Sequence, residues 1–489
     1  MFIFKPFIKN TLFTYLSQFL AVILGVLIVK IMALYLTSEN FGIYLLSRRL
    51  ILLCIPLITL NLAMGLSWFG SKRDFSRLYF NKILLTYILI GIGLFTLILI
   101  YDNALLSKII YNNKKYEYII NPIFFFVFAS GFQVLTVGYL RGSRQYNLMN
   151  LSNILYRTSS IIVLLLIIFL KIGTELLTEF FYYGAWLIII YNIIVLYKDP
   201  NKMTNKIIKK QNLKQIYEYS LFRIPSGIFY GLLFFLPIYL TSKWFSLIDA
   251  THIGIIITVA NTAAMIGVPF NLLFLPTFSH LNEIGNNDQV RERINIIINF
   301  IFQVVFFIGP LTYLFSQEII TMWFGQNYVI TIIYLQLISP FIGPFIGYIM
   351  IRGIIDGLSF YPYSNIITLL SFIIFVVLTI ILKIFINNPI SVALSFSIGL
   401  FILFGISLYT IKRIINISIF SKSNLVSLIF LVVIYILAFF TQSINVPFVH
   451  QSVIKSIVSL IMISSLFFYY YQTKASWIMY SKTIRNEEN

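Results

Sequence analysis

Apolar runs of membrane-spanning length follow one another along almost the whole chain, separated by short polar breaks. They fall near residues 11–36, 42–69, 82–101, 119–140, 150–170, 176–197, 220–241, 252–278, 294–315, 328–351, 363–386, 389–411, 424–446 and 452–471. A helix needs about 20 apolar residues to cross the hydrocarbon core, whereas a membrane β-barrel would show alternating segments of about 10 residues. The pattern predicts an all-α integral membrane protein of about fourteen transmembrane helices.

The longest polar interval, Lys198 to Arg223, divides this series. It separates two blocks of six apolar segments and leaves two more at the C-terminal end. The expected organisation is therefore a first lobe over 1–197, a basic linker over 198–219, a second lobe over 220–415, and two helices with a tail over 416–489. The lobes resemble each other: Gly42 matches Gly254 at an offset of 212, Arg141-Gly142 matches Arg352-Gly353 at 211, and Ser152-Asn153 matches Ser364-Asn365 at 212. A shift of six segments preserves orientation, so the two six-helix lobes are expected to be parallel repeats around a central cleft, as in transporters that work by alternating access.

Composition and charge sharpen this picture. The chain of 489 residues is 59% hydrophobic and 10% charged, with a net charge of +19. The loops on the side of the termini collect 24 lysines and arginines against 6 on the other side, which predicts a multi-pass protein with both termini in the cytoplasm. Seven of those cations, Lys198, Lys202, Lys206, Lys209, Lys210, Lys214 and Arg223, lie in the connector, against Asp199 and Glu218. Such a strip seeks anionic membrane lipids rather than nucleic acid. The first apolar run has no A-x-A cleavage site and reads as a retained helix.

Enzyme signatures are absent: there is no H-E-x-x-H, no Walker loop and no G-x-S-x-G. With a single cysteine, Cys54, the sequence calls for no cysteine-based metal site or cofactor. The chemistry lies in ionisable residues inside apolar segments, which are costly there and usually face a bundle interior. Lys30, Arg48, Arg49 and Arg157 are of this kind and are candidates for binding an anion. A guanidinium fork suits phosphate or diphosphate, and lysine adds a point charge. Glu175, Glu179 and Asp249 are the candidates for a coupling cation or proton.

The segments KIMALYLTSENFGIYLL, YLRGSRQYN, FLPTFSHLNEIGNNDQVRERI and FSQEIITMWFGQNY, in this order, resemble the Wzx-type polysaccharide-biosynthesis flippases of the multidrug/oligosaccharidyl-lipid/polysaccharide exporter superfamily. The resemblance implies a flippase for undecaprenyl-diphosphate-linked oligosaccharide units of O-antigen, capsule or a similar glycan. It also implies partnership with a glycan polymerase and glycosyltransferases; any coupling to a Na+ or H+ gradient would fall to the three acids. By position, Lys30, Arg48 or Arg49 would meet the diphosphate or acidic sugars. The alternatives are a multidrug exporter of the same superfamily, whose cavity should be acidic or aromatic, and a membrane-embedded glycan polymerase or ligase. The short external stretch from Asp102 to Tyr118 leaves little room for a catalytic loop of the latter kind.

Overall fold

The computed structural model describes residues 4–72, 77–171, 173–199, 210–285, 287–303, 305–416 and 422–443. Twelve helices among them are long and apolar enough to cross a membrane, and no strand occurs among the described residues. The chain is a multi-pass, all-α membrane protein. The expected segment at 452–471 and the linker lysines Lys202, Lys206 and Lys209 lie outside the described residues.

The first half contains α1 (Phe4–Tyr35), α2 (Ser38–Thr59), α3 (Leu62–Lys72), α4 (Arg77–Ile100), α5 (Asn103–Tyr111), α6 (Ile120–Gly142), α7 (Tyr146–Phe169), α8 (Thr174–Tyr183) and α9 (Trp186–Tyr197). The connector ends in α10 (Lys210–Leu221). Next come α11 (Ile224–Trp244), α12 (Leu247–Ala264), α13 (Val268–Ile284), α14 (Asn287–Gln303), α15 (Ile308–Leu314) and α16 (Ser316–Trp323). The described chain closes with α17 (Thr331–Leu358), α18 (Tyr363–Phe385), α19 (Ile390–Ile415) and α20 (Lys422–Ser443), the last holding a shorter apolar stretch.

Two runs that read as single segments are broken helices. The run 42–69 divides between α2 and α3, where Leu60 and Asn61 take left-handed φ of 48° and 53°. Asparagine tolerates that conformation through local hydrogen bonding, and Asn61 Nδ2 donates to the Arg223 carbonyl at 2.7 Å. The run 252–278 divides between α12 and α13, with Pro269 in the first turn of α13. Proline lacks the amide hydrogen that would continue α12.

The halves run in parallel, with a register that the sequence match placed slightly wrong. Helix α1 ends at Tyr35 and α11 at Trp244; Thr37 caps α2 and Ser246 caps α12. These pairs, like the bond from Arg49 to Thr258, are separated by 209 residues. Across the α2–α12 contact a Cβ on Gly42 would lie 2.5 Å from Thr251 Oγ1, and one on Gly254 would lie 2.8 Å from Leu45 Cδ1. Gly42 and Gly254 are thus one helical turn out of register. For α6 and α17 the match is good, since Ile120 and Thr331 open the two helices 211 residues apart. For α7 and α18 it is not: they open at Tyr146 and Tyr363. The longer α17 absorbs the difference.

Each half is tied by a glycine seam. In the first, Cβ atoms on Gly138 and Gly142 of α6 would come within 2.6 Å and 2.4 Å of Ala63 and the Leu66 carbonyl. In the second, Gly353 and Gly357 of α17 stand as close to the Asn271 and Leu275 carbonyls, both 2.7 Å. Small residues let helix backbones approach closely where lipid offers no hydrophobic driving force.

Candidate binding site

Where α2, α11, α12 and α17 meet between the halves, a cavity of about 140 Å³ is lined by Leu52 and Pro56, Tyr230 and Phe234, Asn261 and Arg352. Asn61 lines it as well. Arg49 stands one turn before Leu52 on the same face of α2 and is 2% exposed. Its Nη2 donates to Thr258 Oγ1 at 3.2 Å, while its Nε is buried without a hydrogen-bond partner.

Arg48 and Arg157 form a second cationic group, inside the first half. Arg48 is half-buried and its Nη1 has no partner. The Arg157 guanidinium lies 5.3 Å from the centre of the Tyr156 ring and 3.9 Å from where a Cβ on Gly25 would sit, so α1 leaves it room. Tyr44 is within electrostatic reach of Arg48, Arg157 and Arg49. Behind them, the buried Gln133 accepts from Ser152 Oγ at 3.0 Å and Tyr191 OH at 2.8 Å. None of the ion pairs among the described residues involves Arg48, Arg49 or Arg157.

The remaining candidates are dispersed. Lys30 is exposed on the stripe of α1 that also carries Ile23, Leu27 and Leu34, and it is not among the charges acting on Tyr44, Arg49 or Arg157. Glu179 is half-buried in α8; Glu175 is in the same helix. Asp249 belongs to the N-cap of α12: the Ser246 hydroxyl donates to its carboxylate at 2.6 Å and accepts from its amide at 3.0 Å. Among the described residues no group of three His, Cys, Asp or Glu side chains could hold a metal ion.

A third group was not anticipated. Arg141, Arg223 and Arg352 count as loop cations by sequence, yet Arg141 is 8% exposed, Arg223 is 0% exposed and Arg352 lines the cavity. Arg223 Nε lies 3.3 Å from Asp356 Oδ1, and Arg352 Nε lies 3.7 Å from Oδ2. Arg223 also donates to the carbonyls of Tyr219, Phe360 and Ser359 and stacks 3.6 Å over the Tyr219 ring. The sequence held one signal for this group: Asp356 stands four residues after Arg352 in an otherwise apolar helix, a spacing that pairs side chains.

No protein-family model and no curated protein matches the sequence. Solved structures do match. An inward-facing multidrug resistance MATE family transporter of the MOP superfamily superposes with a TM-score of 0.65 at 15% identity, over 83% of this chain and 98% of its own. The chain has the MATE transporter fold. An outward-facing MATE family multidrug resistance transporter gives 0.61 at 13% identity, over 83% and 95% of the two chains. A MATE protein in a straight conformation gives 0.63 at 14%, with the same coverage.

Proposed function

We propose that this protein is a transporter whose two halves rock about the α2–α12 contact and whose cargo is an anionic amphiphile, namely a lipid-linked oligosaccharide diphosphate. The observation that carries this reading is the set of three arginines, Arg48, Arg49 and Arg157, without a carboxylate partner. Buried cations are retained at a cost, and an anion that arrives and leaves would neutralise them in turn. A cavity of about 140 Å³ accepts a phosphate-sized group but not an oligosaccharide, so this cargo requires the halves to part. Glu179 is the remaining half-buried candidate for coupling to a Na+ or H+ gradient, because Asp249 serves its helix cap. The polymerase and glycosyltransferases that the sequence resemblance implies would be partners of this activity in the inner membrane, with both termini in the cytoplasm.

Multidrug export is the second reading, favoured by the fold neighbours, which are multidrug resistance transporters. The aromatic wall of Tyr230 and Phe234 would suit a flat drug, while the arginines disfavour a cationic one. Proteoliposomes containing the full chain and a fluorescent polyprenyl-diphosphate saccharide test the first reading. Label that stays in its original leaflet, together with drug hypersensitivity of a deletion strain, would transfer the assignment to the second.

A further inference from the structure

Asp356 is one carboxylate among three arginines that come from different parts of the molecule. Arg352 precedes it by one turn on α17, Arg223 comes from the junction of α10 and α11, and Arg141 of α6 in the first half is within electrostatic reach of it. Arg141 is held to α3 through Ser67, Nε to Oγ at 2.7 Å. The group therefore carries a net excess of positive charge and spans both halves. It lies at the connector end of the central cavity, with Arg352 as the shared member: its side chain is 18% exposed and lines that cavity. Directly beyond, Trp68 of α3 stacks on Tyr219 of α10 at 4.6 Å, and Phe360 closes edge-on to both at 5.6 Å and 5.8 Å.

Arg352, which pairs with Asp356, and Arg141, within electrostatic reach of it from the other half, are the pair that the internal repeat matches at an offset of 211. The same offset sets Asp356 against Gln145, which in the first half donates to the buried Asp199 carboxylate. Only the second half carries the acid at the repeat position itself, placed where it offers the guanidinium groups what a phosphate oxygen would offer. Arg223 does not depend on it alone, because three backbone carbonyls and the Tyr219 ring hold that guanidinium.

We propose that Arg141 and Arg352 form an entry site for a phosphate or diphosphate group at the connector end of the cavity, and that the arriving group displaces the Asp356 carboxylate and unfastens α3 from α10. Asp356 is a resident stand-in for the cargo's anion and keeps that end closed while no cargo is bound. A bidentate arginine prefers a phosphate that presents two oxygens over a single carboxylate oxygen held at 3.7 Å. The inference deepens the anionic-cargo reading by naming the residues that meet the cargo first.

The test is binding of inorganic pyrophosphate and of farnesyl diphosphate to the full chain in detergent, by calorimetry, with amide hydrogen exchange of α3 and α10 as a second readout. Wild type should bind both and exchange faster in α3 and α10 when loaded. Arg352→Gln should weaken binding about tenfold, as for loss of a charge-assisted hydrogen-bonding partner. Asp356→Asn, which keeps an acceptor oxygen for Arg223, should tighten binding about tenfold by removing the competing charge. Unchanged affinity in Arg352→Gln, or loaded wild type whose α3 and α10 exchange as slowly as before, would overturn the proposal; neither result needs the Asp356 variant to fold. Tighter binding of farnesyl diphosphate than of pyrophosphate supports a lipid-borne source for the anion. Equal binding keeps the entry site but removes the lipid-linked cargo, so the two readings fail separately.

Discussion

The two halves share a scaffold and differ in chemistry. Both pack a broken helix against a glycine seam: Gly138 and Gly142 on α3, Gly353 and Gly357 on α13. Both open their second helix from a capping hydroxyl, Thr37 and Ser246. Yet the positions facing Arg48 and Arg49 in the second half, 209 residues on, are Ile257 and Thr258, and the position facing Asp356 in the first half is Gln145. Backbone approach and helix capping constrain each half alone and so recur. The charges do not recur, because neither helix capping nor backbone approach requires them.

Four measurements would break or sharpen this comparison. The largest effect is expected at Asp356, where Asp356→Ala leaves Arg223 and Arg352 buried without their counter-ion and should cost about 3–5 kcal/mol of stability. Its counterpart Gln145→Ala should cost about 1.5–3 kcal/mol, the worth of its hydrogen bond to the Asp199 carboxylate; denaturation in detergent micelles compares the two. If both variants melt alike, the halves are chemically equivalent after all.

At the glycine seams, Gly142→Ala and Gly353→Ala should each destabilise by about 1–3 kcal/mol through overpacking against backbone. Gly93→Ala, with nothing near its would-be Cβ, should fall within about 0.5 kcal/mol of wild type. A tolerated alanine in only one seam would show that the halves pack differently.

For transport, Arg49→Gln and Arg157→Gln should each slow flipping of a lipid-linked diphosphate about tenfold, the loss of one charge-assisted interaction in the transition state. Lys30→Gln should change it less, because Lys30 stands on an exposed stripe of α1. A Lys30 variant as slow as the arginine variants would return that stripe to the cleft. The smallest effect is expected at the caps. Ser246→Ala should cost about 1 kcal/mol because its hydroxyl bonds both the amide and the carboxylate of Asp249, and Thr37→Ala about half as much, since Thr37 makes one long bond, 3.3 Å, to Asn40.

The sequence by itself determined the architecture. Segment lengths, the polar connector and the Arg-Gly repeat lead to parallel six-helix halves, because apolar length and charge bias are local properties that need no partner to be read. It also pointed to Arg48, Arg49 and Arg157, whose cost inside an apolar run is visible residue by residue. Register escaped it: Gly42 and Gly254 lie one turn apart because a match between two apolar strings fixes identity, not height. The breaks at Leu60-Asn61 and near Pro269 were hidden inside runs of uniform hydropathy. Only the tertiary structure decided that Arg223 is fully enclosed, that Arg223 and Arg352 share one carboxylate, and that Asp249 serves a helix cap. Those facts depend on which helices meet, since a guanidinium has the same charge in a loop as in a core and only its neighbours distinguish a solvated cation from one that closes a cavity.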